Sequence, residues 1–300
     1  MLVTFMWGSG HTAGKIALRE LDSGHLALLR PLSAWLVLVA LVLVTGRGAA
    51  AMAELRRSPL LLGALGVLGY AGAGGSTVLA LSVLPAGITS LLSSVSPLML
   101  VFGSLAFARR RVRRLQVVGA VVGFVGVVIL TGGGILSAAG LPPRAILAVP
   151  LALTSAACWA GYTTLAQRLG ARDALVTTAI TSGFGSAVVG LIATPTQDWS
   201  RLAHTSPSTW LATLWAGGIA IGCAYVIWSM VLRRLPPASV LPFNYCTPLF
   251  SLLLAWLVLG EPLTLPVLLG AVGILAGVAL AQFEDVRLLW RGRLATARGG

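Results

Sequence analysis

Long apolar runs alternate with short polar or charged breaks along nearly the whole chain. A helix needs about 20 apolar residues to cross a hydrocarbon core of about 30 Å. Ten stretches meet or approach that length: 2–19, 26–45, 60–83, 86–108, 115–135, 146–167, 174–194, 210–232, 238–259 and 265–283. Their apolar residues, chiefly Leu, Ala, Val and Gly, run continuously rather than alternating, which predicts helices and not the strands of a membrane barrel. The expected fold is an all-α membrane protein of ten transmembrane helices, spans 1 to 10 in chain order.

The pattern repeats. Residues 84–130 align without a gap on 235–281 at a constant offset of 151. Leu84-Pro85 falls on Leu235-Pro236, Ser96-Pro97-Leu98 on Thr247-Pro248-Leu249, and Gly119-Ala120-Val121 on Gly270-Ala271-Val272. Coincident prolines and glycines mark two copies of one five-span unit, 2–135 and 146–283, followed by a tail, 284–300. The boundary segment 136–145 contains Leu141-Pro142-Pro143.

Charge then sets direction. Only 10% of the residues are charged, far below the ~25% of soluble domains, and the net charge of +13 is nearly all arginine placed between apolar runs. With both termini in the cytoplasm, the inner loops and tail collect Arg47, Arg56, Arg57, Arg109, Arg110, Arg111, Arg113, Arg114, Arg168, Arg172, Arg233, Arg234, Arg287, Arg291, Arg293 and Arg298. Lys15, Arg19, Arg30, Arg144 and Arg201 are left elsewhere, so the positive-inside rule selects this orientation in a cytoplasmic membrane. An odd number of spans per copy makes the second copy enter from the opposite side. The repeat is then inverted, with a substrate site expected between the copies. No basic stripe with interleaved aromatics suggests nucleic acid. Cys158, Cys223 and Cys246 lie in apolar runs without metal-ligand spacing, so no metal or other cofactor is expected.

Several residues together resemble the drug/metabolite transporter superfamily, in its EamA-type branch. They are Trp7-Gly8-Ser9 with Lys15 in span 1, Arg30 early in span 2, Pro97 and Pro248 inside spans 4 and 9, and the 260–264 turn Gly-Glu-Pro-Leu-Thr before span 10. Trp159 reopens the second copy as Trp7 opens the first, and Arg109-Arg110 departs from the Gly-Glu pair expected by analogy. The resemblance covers residues 2–282. It implies two inverted five-helix repeats around a cavity lined by spans 1, 3, 4, 6, 8 and 9, and secondary transport of small polar metabolites, often amino-acid export, without ATP. The absence of a GxxxxGK[ST] phosphate loop agrees. Efflux of toxic compounds, and a polytopic membrane enzyme on lipid-linked substrates, are the alternative readings. The three scattered histidines speak against the enzyme. The expected partners are a small-molecule substrate and lipid, with the protein a monomer or homodimer.

All eight carboxylates lie at span ends or in loops, so a cationic substrate would find no counter-ion at mid-membrane. Trp7, His11 and Lys15 share one face of span 1. Lys15 either faces the cavity and draws in an anionic group or snorkels to the outer interface and pairs with Glu20 or Asp22. His11 is either a proton carrier or a packing histidine bonded to a backbone carbonyl. Arg30 is either a substrate or gating charge or a structural arginine bonded to freed carbonyls or to Asp22. The matched prolines predict kinks at the site. The polar residues before them, Ser93 and Ser94 with repeat mates Asn244 and Tyr245, are candidate substrate contacts; alternatively the serines bond their own helix and Asn244 bridges neighbouring helices. Tyr70, Tyr162, Trp159, Trp228 and Ser229 are further midplane candidates. The glycines at 69–75 read as close packing and a hinge, and those at 119, 123, 126, 270, 273 and 277 as close packing. The amphipathic stretch 286–291 is expected on the inner leaflet.

Overall fold

The computed structural model describes residues 1–96, 98, 99, 114–130, 143–170, 172–234 and 246–298. Pro97, the arginines at 109–113, most of the boundary segment, Asn244 and Tyr245 lie outside them, as does the Ser229 side chain.

The described residues are helical, without strands. In chain order the helices are α1 (Leu2–Ala17), α2 (Ser23–Val44), α3 (Gly48–Arg57), α4 (Pro59–Val83), α5 (Ala86–Ser93), α6 (Arg114–Ile129), α7 (Ala145–Leu169), α8 (Ala174–Thr196), α9 (Pro207–Trp228, running on through Arg234), α10 (Cys246–Leu259) and α11 (Leu265–Arg298). Five of them, α2, α4, α7, α8 and α9, are long and apolar enough to cross a membrane, and shorter apolar helices occupy 114–129, 246–259 and 265–280. Large apolar side chains such as Leu60, Phe124, Leu191, Leu211 and Val272 stand on the outside of the bundle, where lipid satisfies them and the helical backbone bonds itself.

Two features differ from the expected loops. Residues 48–57, in the break between spans 2 and 3, form the short helix α3, which buries none of its side chains. Beyond span 10 there is no break: α11 continues as one helix to Arg298.

Glycine decides where helices meet. On α6 and α11, a Cβ at Gly126 would stand 2.5 Å from the Ile274 nitrogen, and one at Gly270 2.7 Å from Leu130 Cβ. Gly277 lies directly on the Gly123 backbone. These are the glycines of the repeat, and they let two backbones approach as small-residue faces do in membranes.

The helices interleave. α4 packs on α7 and α8, while α9 packs on α1 and α2; α2 lies along α8, α5 against α10, and α6 against α11. α4 and α9 share an irregularity. Each opens on a Ser-Pro step, Ser58-Pro59 and Ser206-Pro207, which suits the first turn because proline lacks an N–H no carbonyl there needs. After eight residues each widens into a nine-residue π-helical segment, Val67–Gly75 and Trp215–Cys223. Such segments are rare and cluster at functional sites.

Polar bonds tie both ends of the bundle. At one end Asp22, before α2, pairs with Arg201 at 2.9 Å, and Glu20 accepts from the Ser206 nitrogen and hydroxyl at 2.8 and 2.7 Å. At the other end Asp173, before α8, pairs with Arg47 at 2.8 Å and caps α8 through the nitrogens of Leu175 and Val176. Beside it Arg172 binds Glu54 at 2.6 Å and the Ser58 hydroxyl at 3.0 Å. Asp22 and Asp173 are separated by the same 151 residues as the sequence repeat.

Candidate functional site

Four helices deliver six aromatic rings to one place. Trp7 comes from α1, Tyr70 from the first π-helical segment, Trp159 and Tyr162 from α7, and Tyr225 and Trp228 from α9. Trp159 stacks on Tyr162 with centroids 5.1 Å apart and planes at 18°. Trp7 meets Trp159, Tyr225 and Trp228 edge-on at 6.1, 6.0 and 5.3 Å. These are favourable geometries for quadrupolar rings. Tyr225 is the hub, touching Trp7, Tyr70, Trp159 and Tyr162. Glycine makes the cluster fit: Gly69 lets the Tyr162 ring lie on α4, where a Cβ would meet it at 2.6 Å, and Gly185 of α8 receives the Tyr70 Cβ. The Trp7 indole nitrogen is buried without a hydrogen-bond partner.

Arg30 sits near this cluster. It is 7% exposed, and its Nε donates to the Ala216 carbonyl at 3.1 Å. Ala216 is the second residue of the π-helical segment of α9, where the regular ladder is interrupted. Gly217 brings that segment onto the backbone of α2 at Arg30 itself. Among the described residues no acceptor bonds the two terminal guanidinium nitrogens, and Tyr225 and His11 lie within electrostatic range of the charge. Arg30 is therefore bonded to a carbonyl of another helix, not to one that Pro31 frees in its own, while keeping its outer donors unused. Asp22, the other partner considered, is with Arg201.

His11 places Nδ1 3.2 Å from the Trp7 carbonyl, the backbone-bonded arrangement. Lys15 is elsewhere. Its amine donates to the Leu81 and Leu84 carbonyls at 2.7 and 2.8 Å, at the end of α4, and neither Glu20 nor Asp22 is its partner. The carboxylate near Lys15 is Glu261, which accepts from the Ala86 and Gly87 nitrogens at 2.6 and 3.0 Å and so caps α5. Gly260, at φ 71°, turns the chain out of α10 to aim it. A cation on the last carbonyls of one helix and an anion on the first nitrogens of the next both complement the helix dipoles.

Of the residues singled out from sequence, Tyr70, Trp159, Tyr162 and Trp228 come together, with His11 and Arg30 alongside. Lys15 belongs to the α4–α5 junction. Ser94 bonds the Leu91 carbonyl of its own helix at 2.7 Å, and the Ser93 hydroxyl is buried without a partner. Trp7 and Tyr225 were not among the expected site residues. Tyr225 had a signal: of only four tyrosines in the chain, every one falls inside a span. Three of them, Tyr70, Tyr162 and Tyr225, meet here. No group of His, Cys, Asp or Glu able to hold a metal occurs among the described residues.

The chain is similar to several known transporters. The uncharacterized transporter YvbV of Bacillus subtilis is 25% identical over 213 residues, 70% of this chain and 68% of that protein. The uncharacterized inner membrane transporter YedA of Escherichia coli K12 is 29% identical over 86% of this chain and 81% of its own length. The aromatic amino acid exporter YddG of Ancylobacter novellus is 29% identical over 181 residues, 58% of this chain and 59% of that one. A solved crystal structure that is 22% identical aligns over 96% of both chains with a TM-score of 0.65, a likeness of fold. The EamA-like transporter family matches residues 1–132 and 146–283. This chain, a multi-pass helical membrane protein with rings and a buried arginine gathered between its helices, belongs to that family.

Proposed function

We propose that the protein is a secondary transporter exporting small polar metabolites, amino acids or related compounds, across the cytoplasmic membrane. It works as two inverted five-helix units with both termini cytoplasmic, and it carries out no enzymatic step. The observation that carries this reading is the convergence of α1, α4, α7 and α9 on one aromatic cluster beside Arg30. An apolar site with a few convergent polar groups suits a small molecule, and these helices come from both halves of the chain. The name of one relative, an aromatic amino acid exporter, is in keeping with the rings.

The inverted arrangement is supported by how the halves cross. The first half's π-helical segment packs on the first two helices of the second half, and the second half's segment does the converse. The ion pairs Asp22–Arg201 and Asp173–Arg47 hold equivalent places at opposite ends. Alternating access moves one such unit against the other around a fixed site.

The test is transport in sealed vesicles containing the purified protein. A panel of labelled metabolites is offered with and without a proton gradient. Accumulation or counterflow of a subset is expected, without ATP; a panel that moves no faster than in empty vesicles refutes the reading.

A further inference from the structure

Among the described residues, Arg30 is a buried cation without a counter-charge. Each described carboxylate outside the tail is engaged at a helix end or in a loop: Glu20 with Ser206, Asp22 with Arg201, Glu54 with Arg172, Asp173 with Arg47, Asp198 with Ser200, and Glu261 with Ala86 and Gly87. None reaches the aromatic cluster. A charge held in such surroundings is expensive unless something neutralises it. The protein supplies one carbonyl, through Nε, and leaves the terminal edge of the guanidinium unbonded. That planar edge, with two parallel donors, matches a carboxylate.

The neighbouring surface is made of ring faces and edges. Trp159 and Tyr162 lie nearly parallel, and Trp7 contributes a buried indole N–H that no protein group accepts. A ligand here would present a planar apolar body to the rings and one acceptor group to Arg30. Among the described residues an ammonium would find ring faces and the unpartnered Tyr70 hydroxyl, and no carboxylate. In an α-amino acid the ammonium is carried on the carbon bearing the carboxylate, so docking the carboxylate on Arg30 would bring the ammonium beside the same cation, with no described carboxylate at hand to offset the repulsion.

Resting on the transport reading above, and narrowing it, we propose that the site recognises aromatic carboxylates lacking an ammonium group, with the ring against Trp159 and Tyr162 and the carboxylate on the free edge of Arg30. Arg30, and not Lys15, is the residue that reads the anion. Lys15 already spends its amine on Leu81 and Leu84.

Four charged probes, with the neutral amide 3-phenylpropanamide as a reference, separate the contributions: 3-phenylpropionate, phenylalanine, phenethylamine and propionate. The first three share one phenylethyl skeleton and differ in charged groups; the last keeps the carboxylate without the ring. Binding to the full chain in lipid nanodiscs is followed by tryptophan fluorescence, since three indoles line the cluster. We expect 3-phenylpropionate to bind at least tenfold more tightly than phenylalanine, and phenethylamine and propionate not to bind. Arg30→Gln should bring 3-phenylpropionate down to the affinity that wild type shows for the neutral amide, 3-phenylpropanamide. The wild-type comparison of acid with amide stands even if that variant does not fold. Phenylalanine binding as tightly as the acid, an amide matching the acid on wild type, or no binding of the acid at all would overturn the inference. Uptake of labelled probes into vesicles distinguishes the two readings. Binding in the expected order without movement supports this site and refutes transport. Movement that prefers phenylalanine supports transport and refutes this site.

Discussion

Glu261→Gln tests the junction between α4 and α5. The wild-type carboxylate accepts two backbone N–H groups, at 2.6 and 3.0 Å, on the first turn of α5. Hydrogen bonds to a charged acceptor contribute about 1.5–3 kcal/mol each and neutral ones about 1 kcal/mol; a charge at a helix N-terminus adds roughly 0.3–1 kcal/mol. Glutamine keeps one acceptor oxygen but turns an NH₂ group toward the second N–H. Since the residue is partly exposed, the charge contribution is discounted, and the net loss is about 2 kcal/mol. Unfolding entropy of about 2.1 cal/mol/K per residue makes 1 kcal/mol worth roughly 1.6 °C in a chain of 300 residues. Melting should therefore fall by about 3 °C. The half-buried Cys158 and Cys223 make a thiol-reactive dye a suitable reporter of unfolding in detergent. Lys15→Met removes the amine from the Leu81 and Leu84 carbonyls and should cost a similar amount. Because Lys15 and Glu261 interact electrostatically, the double variant should lose less than the two single losses added together. A Glu261→Gln protein that melts within 1 °C of wild type would refute the capping role, and strict additivity would refute the coupling.

Single cysteines at Arg111 and Thr264, in a background without Cys158, Cys223 and Cys246, should react with impermeant reagents from opposite sides of the membrane; same-side labelling would end the inverted-repeat proposal. Gly277→Val places a side chain on the Gly123 backbone and should destabilise the α6–α11 pair by more than the 1–3 kcal/mol of ordinary overpacking, whereas Gly46→Ala, with open space around it but φ at 68°, should cost only about 1 kcal/mol; equal melting temperatures for the two would contradict the packing described. The Ser206 nitrogen, followed by its hydroxyl, holds the Glu20 carboxyl below the usual carboxylate range. That bond therefore supports the α1–α9 contact above the unfolded glutamate pKa and is lost as pH falls through the lower folded value. Hydrogen exchange at 204–209 should distinguish wild type from Glu20→Gln at pH 7, and the difference should shrink as pH falls below the ordinary glutamate range; a difference that is the same at every pH would count against it. If transport is proton-coupled through His11, His11→Gln should abolish its pH dependence, and unchanged coupling would show that the proton moves elsewhere.

The five long apolar helices α2, α4, α7, α8 and α9 were legible because length and hydropathy alone decide which segments lipid can hold. The packing glycines were legible because only a missing Cβ permits the contact at Gly126 and Gly277. Lys15 was not. Its spacing with Trp7 and His11 fixed a helix face, but its partners are backbone carbonyls, and every residue offers one of those. Glu261 was visible as part of a turn, yet its nitrogens belong to residues more than 170 positions earlier, which no local pattern reveals. Tyr225 is the hub of the cluster only because three other helices bring rings to it. The π-helical segments likewise have no period of their own in the sequence.

The internal repeat explains the backbone better than it explains the chemistry. The Ser-Pro steps and the π-helical segments of α4 and α9 correspond at an offset of 148 residues, while Asp22 with Asp173 and Leu84 with Leu235 keep 151. The second copy is therefore three residues shorter before its third helix and recovers them after the π-helical segment, where 11 helical residues replace 8. In that register Tyr225 and Trp228 stand where the first copy has Thr77 and Ala80. Thr77 spends its hydroxyl on Ser155 at 2.7 Å and on the Ala73 carbonyl. Its counterpart Tyr225 instead spreads a ring over four others. Arg30 is likewise without a basic mate, since 151 residues on stands Thr181, whose hydroxyl bonds the Thr178 carbonyl of its own helix. A substrate of the kind proposed, with a ring at one end and a charge at the other, would not lie symmetrically between two matched backbones. The side chains around the cluster are thus unmatched between the copies, with Arg30, Tyr225 and Trp228 answering to Thr181, Thr77 and Ala80, and the substrate proposed above would need such an unequal set on a repeated backbone.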